Sequence, residues 1–141
     1  MKYSEFKRTI TQCPFCYGDH NETIIENDRA ILTYSLAPYH KHHLLVIPKR
    51  HVEKIDDISS EEYEAIDSLI KKGIEILKAL GYDNYTILVR EGAGSGRSVP
   101  HIHYHVIPDI RLGDNDHAGA DRLILEADQI AALMSEIKSV L

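Results

Sequence analysis

The segment His101–Ile107 constrains the fold most, because polar and apolar side chains alternate along it. Successive side chains of a β-strand point to opposite faces, so this alternation predicts a strand. His101, His103 and His105 would then share one face, with neighbouring side chains about 6.5–7 Å apart. A merely solvated face would normally carry Lys, Glu, Thr or Ser. A face built of imidazoles, which donate, accept and titrate near neutral pH, therefore predicts chemistry or metal binding.

A long amphipathic helix is the second clear element. Ser59 and Glu62 have the spacing of a capping box, apolar residues follow at helical intervals up to Leu80, and Gly81 is a natural stop. A second helix is predicted over residues 127–140. Four further strands are predicted at residues 23–26, 30–36, 43–48 and 85–89. Strands on both sides of one long helix predict an α+β fold, with a mainly antiparallel five-stranded sheet and a C-terminal helix.

Length and charge narrow the function classes. The 141 residues suit a single domain spanning residues 1–141, without an internal repeat or a linker. A net charge of -6 argues against a nucleic-acid partner, because proteins that hold a phosphate backbone are usually basic. No apolar stretch resembles a signal peptide or is long enough to cross a bilayer, so we expect a cytoplasmic protein with no membrane association.

Two further motifs carry candidate chemistry. Residues 92–98 combine glycines, serines and one arginine directly before the histidine segment, and such loops cradle phosphate oxygens. Cys13 and Cys16 form a Cys-x-x-Cys pair beside Phe15. In a cytosolic chain this spacing favours metal binding over a structural disulfide. A redox pair, or two buried thiols packed beside Phe15, are the alternatives.

Together these motifs resemble the signature of the histidine triad (HIT) superfamily. Residues 101–107 follow its order of His, apolar, His, apolar, His, apolar, apolar, with Tyr104 as a mild departure. The Cys-x-x-Cys pair, the run 43–51 and residues 96–99 are similar to further family segments in the same order. The resemblance covers most of residues 13–108 and implies a HIT-like fold.

The resemblance also implies a catalytic set. The middle histidine of the family attacks the α-phosphorus of a nucleotide and forms a nucleotidyl-histidine intermediate, a role that falls on His103. His105 would contact the phosphate and the leaving group. His43 would support the site by hydrogen bonding, and Ser98 would bind phosphate or assist the leaving group. Nucleotide or phosphate binding is expected at Gly96, Arg97, Ser98, His103, His105, Leu36 and Ser35.

Some family members bind structural zinc, and the resemblance assigns the ligands to Cys13, Cys16, His51 and His101. Two cysteines and two histidines are a standard tetrahedral zinc set, which agrees independently. Four protein ligands close the coordination sphere, so the zinc would be structural. An alternative is a metallohydrolase in which the triad itself, including His103 and His105, holds the zinc beside an open water position.

Three positions depart from the family pattern and leave the substrate open. Ser35 lies where many members carry an Asp that binds ribose, Arg90 where phosphoramidate hydrolases tend to have Asn, and Arg97 where Gln is frequent. Two arginines could meet a longer polyphosphate, although ordinary surface charge is an equal alternative for Arg90. Surface positions are expected for His20, His40, His42, His117, Lys49 and Arg50.

The sequence therefore predicts an enzyme that hydrolyses or transfers the nucleoside monophosphate group of a purine nucleotide conjugate. A nucleoside phosphoramidate and a dinucleoside polyphosphate are both candidate substrates. The family resemblance further implies a homodimer. The alternative is a zinc-stabilised nucleotide-binding or interaction module with little catalytic activity.

Overall fold

A computed structural model describes residues 2–17, 23–111, 120–121 and 123–139. The chain divides into two compact units, Met1–Ile110 and Arg111–Leu141. The predicted histidine and cysteine sites all belong to the first unit. A single domain over residues 1–141 stays a prediction. His20 and His117 lie outside the described residues.

One antiparallel sheet forms the centre of the first unit. Its strands are β1 (Thr23–Glu26), β2 (Ala30–Tyr34), β3 (Leu44–Pro48), β4 (Tyr85–Val89) and β5 (Tyr104–Pro108). The five strands lie in the order β1-β2-β3-β5-β4, and every neighbouring pair is antiparallel. The predicted fold class, α+β with a five-stranded antiparallel sheet, is confirmed.

The helices are α1 (Tyr3–Arg8), α2 (Pro14–Tyr17), α3 (Ser60–Ala79) and α4 (Ala127–Ser139). The predicted capping box starts α3, because the Glu62 N–H donates to Ser59 Oγ at 3.1 Å and the Ser59 N–H donates to Glu62 Oε1 at 3.0 Å. Gly81 follows the helix with a φ of 98°, a conformation that favours glycine. The long helix therefore begins and ends at the residues that the sequence indicated.

The predicted strand over residues 101–107 is only partly right, since β5 begins at Tyr104. The backbone before Tyr104 has other partners. The Ile102 N–H donates to the Val52 carbonyl at 2.7 Å, and the His101 carbonyl accepts from the His103 ring at 2.8 Å. A backbone N–H has one hydrogen to donate, so the Ile102 N–H that is bonded to Val52 is not free for a ladder bond, and the strand begins after it. The strands predicted at residues 30–36 and 43–48 are likewise shorter, as β2 ends at Tyr34 and β3 begins at Leu44.

The two faces of the sheet have different roles. Helix α3 covers one face, where an ideal Cβ on Gly73 would lie 3.5 Å from Leu32, 3.6 Å from Leu44 and 3.8 Å from Val106. Leu45 and His105 are paired across β3 and β5 and point to the opposite face. That second face is free of α3 and carries the candidate site.

The second unit contains α4, which confirms the predicted C-terminal helix up to Ser139, the last described residue. Its apolar side chains at Ile130, Leu133, Met134 and Ile137 are exposed. Among the residues described, no helix has both the length and the apolar character needed to cross a membrane.

Candidate active site and metal centre

A cavity of about 510 Å³ opens on the sheet face opposite α3. Its volume lies within the range of about 300–1,000 Å³ that is typical of small-molecule sites. Several separate segments of the chain supply the wall. The lining residues include Tyr3, Phe6, Lys7, Ile10, Pro14, Phe15, Ser35, Leu36, Tyr39, His43, Leu45, Arg90, Gly96, Ser98, Val99, His103 and His105.

Most of the residues predicted for catalysis and nucleotide binding share this cavity. Its wall contains all the predicted catalytic residues, His43, Ser98, His103 and His105, and the predicted binding residues Ser35, Leu36 and Gly96. Arg97 is not among the lining residues. Its guanidinium lies 4.0 Å from Glu53, at the limit of an ion pair.

The tautomer of His103 is fixed by the main chain. Its Nδ1 lies 2.8 Å from the His101 carbonyl oxygen, which can only accept, so Nδ1 carries the proton. In a neutral ring the lone pair is then on Nε2. The side chain is 5% exposed at the cavity wall, and burial lowers its pKa. His103 therefore presents a neutral imidazole with a basic Nε2.

A second chain of hydrogen bonds sets the tautomers of His43 and His105. The Tyr39 N–H donates to His43 Nδ1 at 3.1 Å, so the proton of a neutral His43 is on Nε2. That Nε2–H donates to His105 Nδ1 at 2.9 Å. The proton of a neutral His105 is consequently on Nε2. The site thus pairs a basic nitrogen on His103 with an N–H donor on His105, whose ring centroid lies 4.9 Å away.

Burial keeps this histidine pair neutral. It lowers the pKa of His43 to about 4 and that of His105 to about 3, and in both cases nearby histidines add to the effect. The Arg90 guanidinium also contributes to the lowered pKa of His103 and His105, which places positive charge near both rings. At neutral pH both members of the pair are uncharged, as the tautomer assignment requires.

The glycine-rich loop lies at the edge of the same cavity. Gly96 has a φ of 86° in the left-handed region, and Gly92 has a φ of 85°. Such conformations cost little for glycine and are strained for other residues. Gly96 and the half-buried Ser98 both line the cavity, so the loop brings a small residue and a hydroxyl to its wall.

The four residues predicted as metal ligands converge at one point. One donor atom from each of Cys13, Cys16, His51 and His101 lies within 4.8 Å of the others. His101 Nδ1 is 3.4 Å from Cys13 Sγ and 3.5 Å from Cys16 Sγ, while His51 Nδ1 is 3.3 Å from Cys16 Sγ. Tetrahedral zinc, with Zn–S about 2.3 Å and Zn–N about 2.0–2.1 Å, would separate such S and N ligands by about 3.5 Å. The donor set and its spacing therefore fit a tetrahedral metal ion.

The outer hydrogen bonds of these histidines also suit metal binding. His101 Nε2 donates to the Pro48 carbonyl at 2.8 Å, which leaves the Nδ1 lone pair directed at the cysteines. His51 Nε2 lies 3.3 Å from a Glu53 carboxylate oxygen. Among the described residues, the group that could hold a metal does not include His103 or His105. The arrangement thus gives no support to a metal held by the triad itself.

Phe15 joins the metal centre to the cavity, a role that the sequence did not reveal. Its ring packs edge-on against His101, at a centroid distance of 5.6 Å, and against His103, at 5.1 Å. Phe15 lies between the two cysteines in sequence and lines the cavity. The sequence signal for this role was the position of Phe15 between the two cysteines, which were predicted to share a metal with His101.

The contribution of helix α1 was also missed. Tyr3 and Phe6 lie three residues apart on one side of α1, and they line the cavity together with Ile10, which follows the helix. Lys7 lines it as well. The amphipathic spacing of residues 3–10 could have shown that this arm has an apolar face to bury.

Several side chains expected at the surface have defined partners. His40 and His42 are half-buried rather than exposed, because both rings pack against Tyr82 and His42 Nδ1 lies 2.6 Å from its hydroxyl. Lys49 pairs with Glu26 at 3.0 Å, and Arg50 pairs with Glu62 at 2.8 Å. Neither cation lines the cavity, so neither contributes to its wall.

Comparison with known proteins agrees with this architecture. The family model described as the HIT domain matches residues 19–112. An uncharacterised HIT-like protein of Methanocaldococcus jannaschii is 35% identical over 125 residues, covering 81% of this chain and 97% of that protein. The adenosine 5'-monophosphoramidase of Schizosaccharomyces pombe is 33% identical over 116 residues, covering 82% of this chain and 85% of that protein.

Solved structures show the same fold. A histidine triad nucleotide-binding protein from Candida albicans superposes with a TM-score of 0.73 at 24% identity, covering 91% of this chain and 96% of that one. A HIT family protein from Bacillus anthracis gives a TM-score of 0.69 at 25% identity, covering 93% and 98%. The family match, the sequence identities and the shared sheet agree with the convergence of the histidines, and the chain belongs to the HIT domain family.

Proposed function

We propose that this protein cleaves a phosphorus–oxygen or phosphorus–nitrogen bond at the α-phosphate of a nucleotide conjugate, with His103 as the nucleophile. The proposal rests on the hydrogen bond from His103 Nδ1 to the His101 carbonyl, because this bond leaves a lone pair on Nε2 at the wall of the cavity. A neutral, buried imidazole with a fixed tautomer is suited to attack phosphorus.

The reaction follows from the two tautomers. The His103 Nε2 lone pair forms a bond to the α-phosphorus, and the bond from phosphorus to the leaving group breaks. The leaving atom accepts a hydrogen bond from His105 Nε2–H, which His43 orients through their 2.9 Å contact, and it takes its proton from solvent. Water or another acceptor then attacks the phosphorus of the nucleotidyl-histidine, the bond from phosphorus to His103 Nε2 breaks, and the proton of the acceptor passes to solvent.

The loop and the apolar wall supply binding. The Ser98 hydroxyl and the backbone at Gly96 would hold phosphate oxygens as negative charge develops. Leu36 would contact the base and Ser35 the ribose, since both line the cavity. A purine base is consistent with the name of the Schizosaccharomyces pombe relative, an adenosine 5'-monophosphoramidase.

We propose zinc as the ion of the metal centre, in a structural role. Cys13, Cys16, His51 and His101 would complete a tetrahedral shell and leave no position for a reacting water. A structural neighbour from Mycobacterium smegmatis, at a TM-score of 0.64 and 24% identity, is described as a zinc-bound histidine triad family protein. Such an ion would tie the segment that contains Phe15 to the segment that contains the nucleophile.

A homodimer is part of the proposal. Strand β4 is an edge strand of the sheet, and Ile87 on it is 42% exposed. An edge of this kind can pair with a second copy. The mass of the particle in solution, measured by light scattering, tests this point, and a monomer at micromolar concentration would contradict it.

The central test is replacement of His103 by Ala. The variant should no longer release AMP from adenosine 5'-phosphoramidate or diadenosine tetraphosphate, and no adenylylated protein should be trapped by acid quench. Replacement of His42 by Ala is the matched control, because that half-buried histidine contacts Tyr82 and does not line the cavity. Undiminished turnover by the His103 variant would refute the mechanism. Tight AMP binding by the wild type without turnover of either compound would instead favour a nucleotide-binding module.

A further inference from the structure

We propose that Arg90 and Lys7 form a second anion subsite, which binds phosphate groups beyond the one that His103 attacks. This inference rests on the proposed function and names its substrate class. The preferred substrate would be a nucleoside or dinucleoside polyphosphate, with an anionic leaving group, rather than a phosphoramidate with a neutral amine.

The charge of the cavity differs from that of the chain. The sequence has 22 acidic residues and a net charge of -6. Of the described residues that line the cavity, none is Asp or Glu, whereas Lys7 and Arg90 both line it. In an acidic protein, this part of the cavity wall carries positive side chains and no carboxylate, which favours anionic ligands locally.

Arg90 is placed to contact a ligand. It is half-buried, and its Nε lies 4.0 Å from an ideal Cβ on Gly96, in the loop that runs into the histidines. The neighbouring Glu91 carboxylate is bonded elsewhere, since it accepts the Ile55 N–H at 2.5 Å. Arg90 is therefore held over the loop, and the adjacent acid does not neutralise it.

Among the described residues, Arg90 has no ion pair, in contrast to Arg50 and Arg97. Within the part of the chain that the structure describes, Arg50 pairs with Glu62 and Arg97 approaches Glu53, but Arg90 has no carboxylate within ion-pair distance. Partial burial of an unpaired guanidinium costs free energy, which an incoming anion would recover. A planar guanidinium matches two phosphate oxygens at once.

Lys7 adds charge from the N-terminal arm. Its ammonium lies 5.2 Å from the centroid of the Tyr3 ring, on a helix whose Phe6 also lines the cavity. The ring contact leaves the ammonium hydrogens free to bind oxygens on its other side. Lys7 and Arg90 thus bring two cations to the cavity wall from separate segments of the chain.

The two substrate classes differ in what this subsite can stabilise. Departure of an amine leaves no negative charge on the leaving group, so Arg90 and Lys7 do not stabilise that transition state through the leaving group. Departure of a polyphosphate develops negative charge on the leaving oxygen, and fixed cations near it lower the barrier. Loss of either cation is therefore expected to lower kcat/KM for a polyphosphate more than kcat/KM for a phosphoramidate.

The test compares kcat/KM for diadenosine tetraphosphate and adenosine 5'-phosphoramidate in Arg90→Ala and Lys7→Ala. The ratio of polyphosphate to phosphoramidate turnover should fall about 10- to 100-fold for Arg90→Ala, the loss typical of one charge-assisted phosphate contact. Lys7→Ala should lower it less, and Arg90→Lys should restore part of it. Arg29→Ala, which removes an exposed arginine outside the cavity, is the matched control and should leave the ratio unchanged.

Binding of inorganic tripolyphosphate, measured by calorimetry, separates this inference from the proposed function. The wild type should bind it, and Arg90→Ala should bind it at least about tenfold more weakly. Equal losses on both substrates, or unchanged tripolyphosphate affinity in Arg90→Ala, would overturn the subsite while leaving the nucleophile intact. A wild type that turns over neither substrate would refute the proposed function, and the calorimetry would still decide on the subsite.

Discussion

Replacement of Glu62 by Gln should destabilise the protein in a manner that depends on pH. Glu62 lies in the first turn of α3, and its side chain is only 6% exposed. Its carboxylate accepts a hydrogen bond from the Ser59 N–H at 3.0 Å. It also accepts two hydrogen bonds from Arg50, from Nε at 3.1 Å and from Nη2 at 2.8 Å. Gln keeps the shape and the bond to Ser59 but removes the charge that Arg50 binds.

The structure sets the size of the effect. The bonds from Arg50, together with those from Ser59, lower the pKa of Glu62 to about 2. Full linkage to an ordinary carboxyl in the unfolded chain would give roughly 3 kcal/mol. The Arg50 side chain is 53% exposed, so solvent screens the pair, and we expect about 1–2 kcal/mol at pH 7.

The sign of the pH dependence follows from the lowered pKa. The contribution of Glu62 is complete above the pKa of an unfolded carboxyl, near 4.5, and is lost as the pH falls towards 2. Urea unfolding of the wild type and the variant should therefore differ by about 1–2 kcal/mol at pH 7 and by less than about half of that at pH 3.

Glu64→Gln is the matched control, because Glu64 is an exposed residue of the same helix. It should change the free energy of unfolding by less than about 0.5 kcal/mol. If Glu62→Gln matched this control at pH 7, or lost the same free energy at both pH values, the charge on Glu62 would not be the stabilising feature.

Three further predictions concern other residues. Gly73→Ala should raise the free energy of unfolding by about 0.5–1 kcal/mol in urea titrations, because the added Cβ meets its neighbours at ordinary contact distances of 3.5–3.8 Å; a loss would show that the helix cannot tolerate it. Cys16→Ser should reduce bound zinc, measured by mass spectrometry, and should lower the midpoint of thermal unfolding, and equal metal content would exclude it as a ligand. Gly96→Ala should reduce kcat/KM at least about tenfold, because a φ of 86° strains alanine and moves the loop; unchanged kinetics would contradict a role for its backbone.

Local patterns predicted the elements whose causes are local. The capping box at Ser59 and Glu62 and the helical spacing after it were enough to fix α3, and strand β4 was predicted over its observed residues. The start of β5 was not predictable in the same way. It depends on the Ile102 N–H donating to the Val52 carbonyl, which is a tertiary contact between segments that are distant in sequence.

In the candidate site, too, some features follow from local sequence motifs and others depend on tertiary contacts. The family order of His43, His103 and His105 is carried in the sequence, so motifs predicted these residues of the cavity wall, whereas they did not predict Phe15 or α1. The roles of the arginines did not follow. Arg90 and Arg97 lie on either side of one loop, and only the fold shows that Glu53 approaches Arg97 while Arg90 borders the cavity.

The hydrogen bond from the His103 ring to the carbonyl of residue 101 affects which substitutions position 101 can tolerate. The acceptor that orients the His103 ring belongs to the main chain, so it persists whatever side chain occupies position 101. The His101 ring, by contrast, belongs to the candidate metal centre, where its Nδ1 faces both cysteines. Replacement of that ring would therefore remove a candidate metal ligand without removing the acceptor. Related chains could replace the candidate metal centre with apolar packing beside Phe15 and still keep the tautomer of His103.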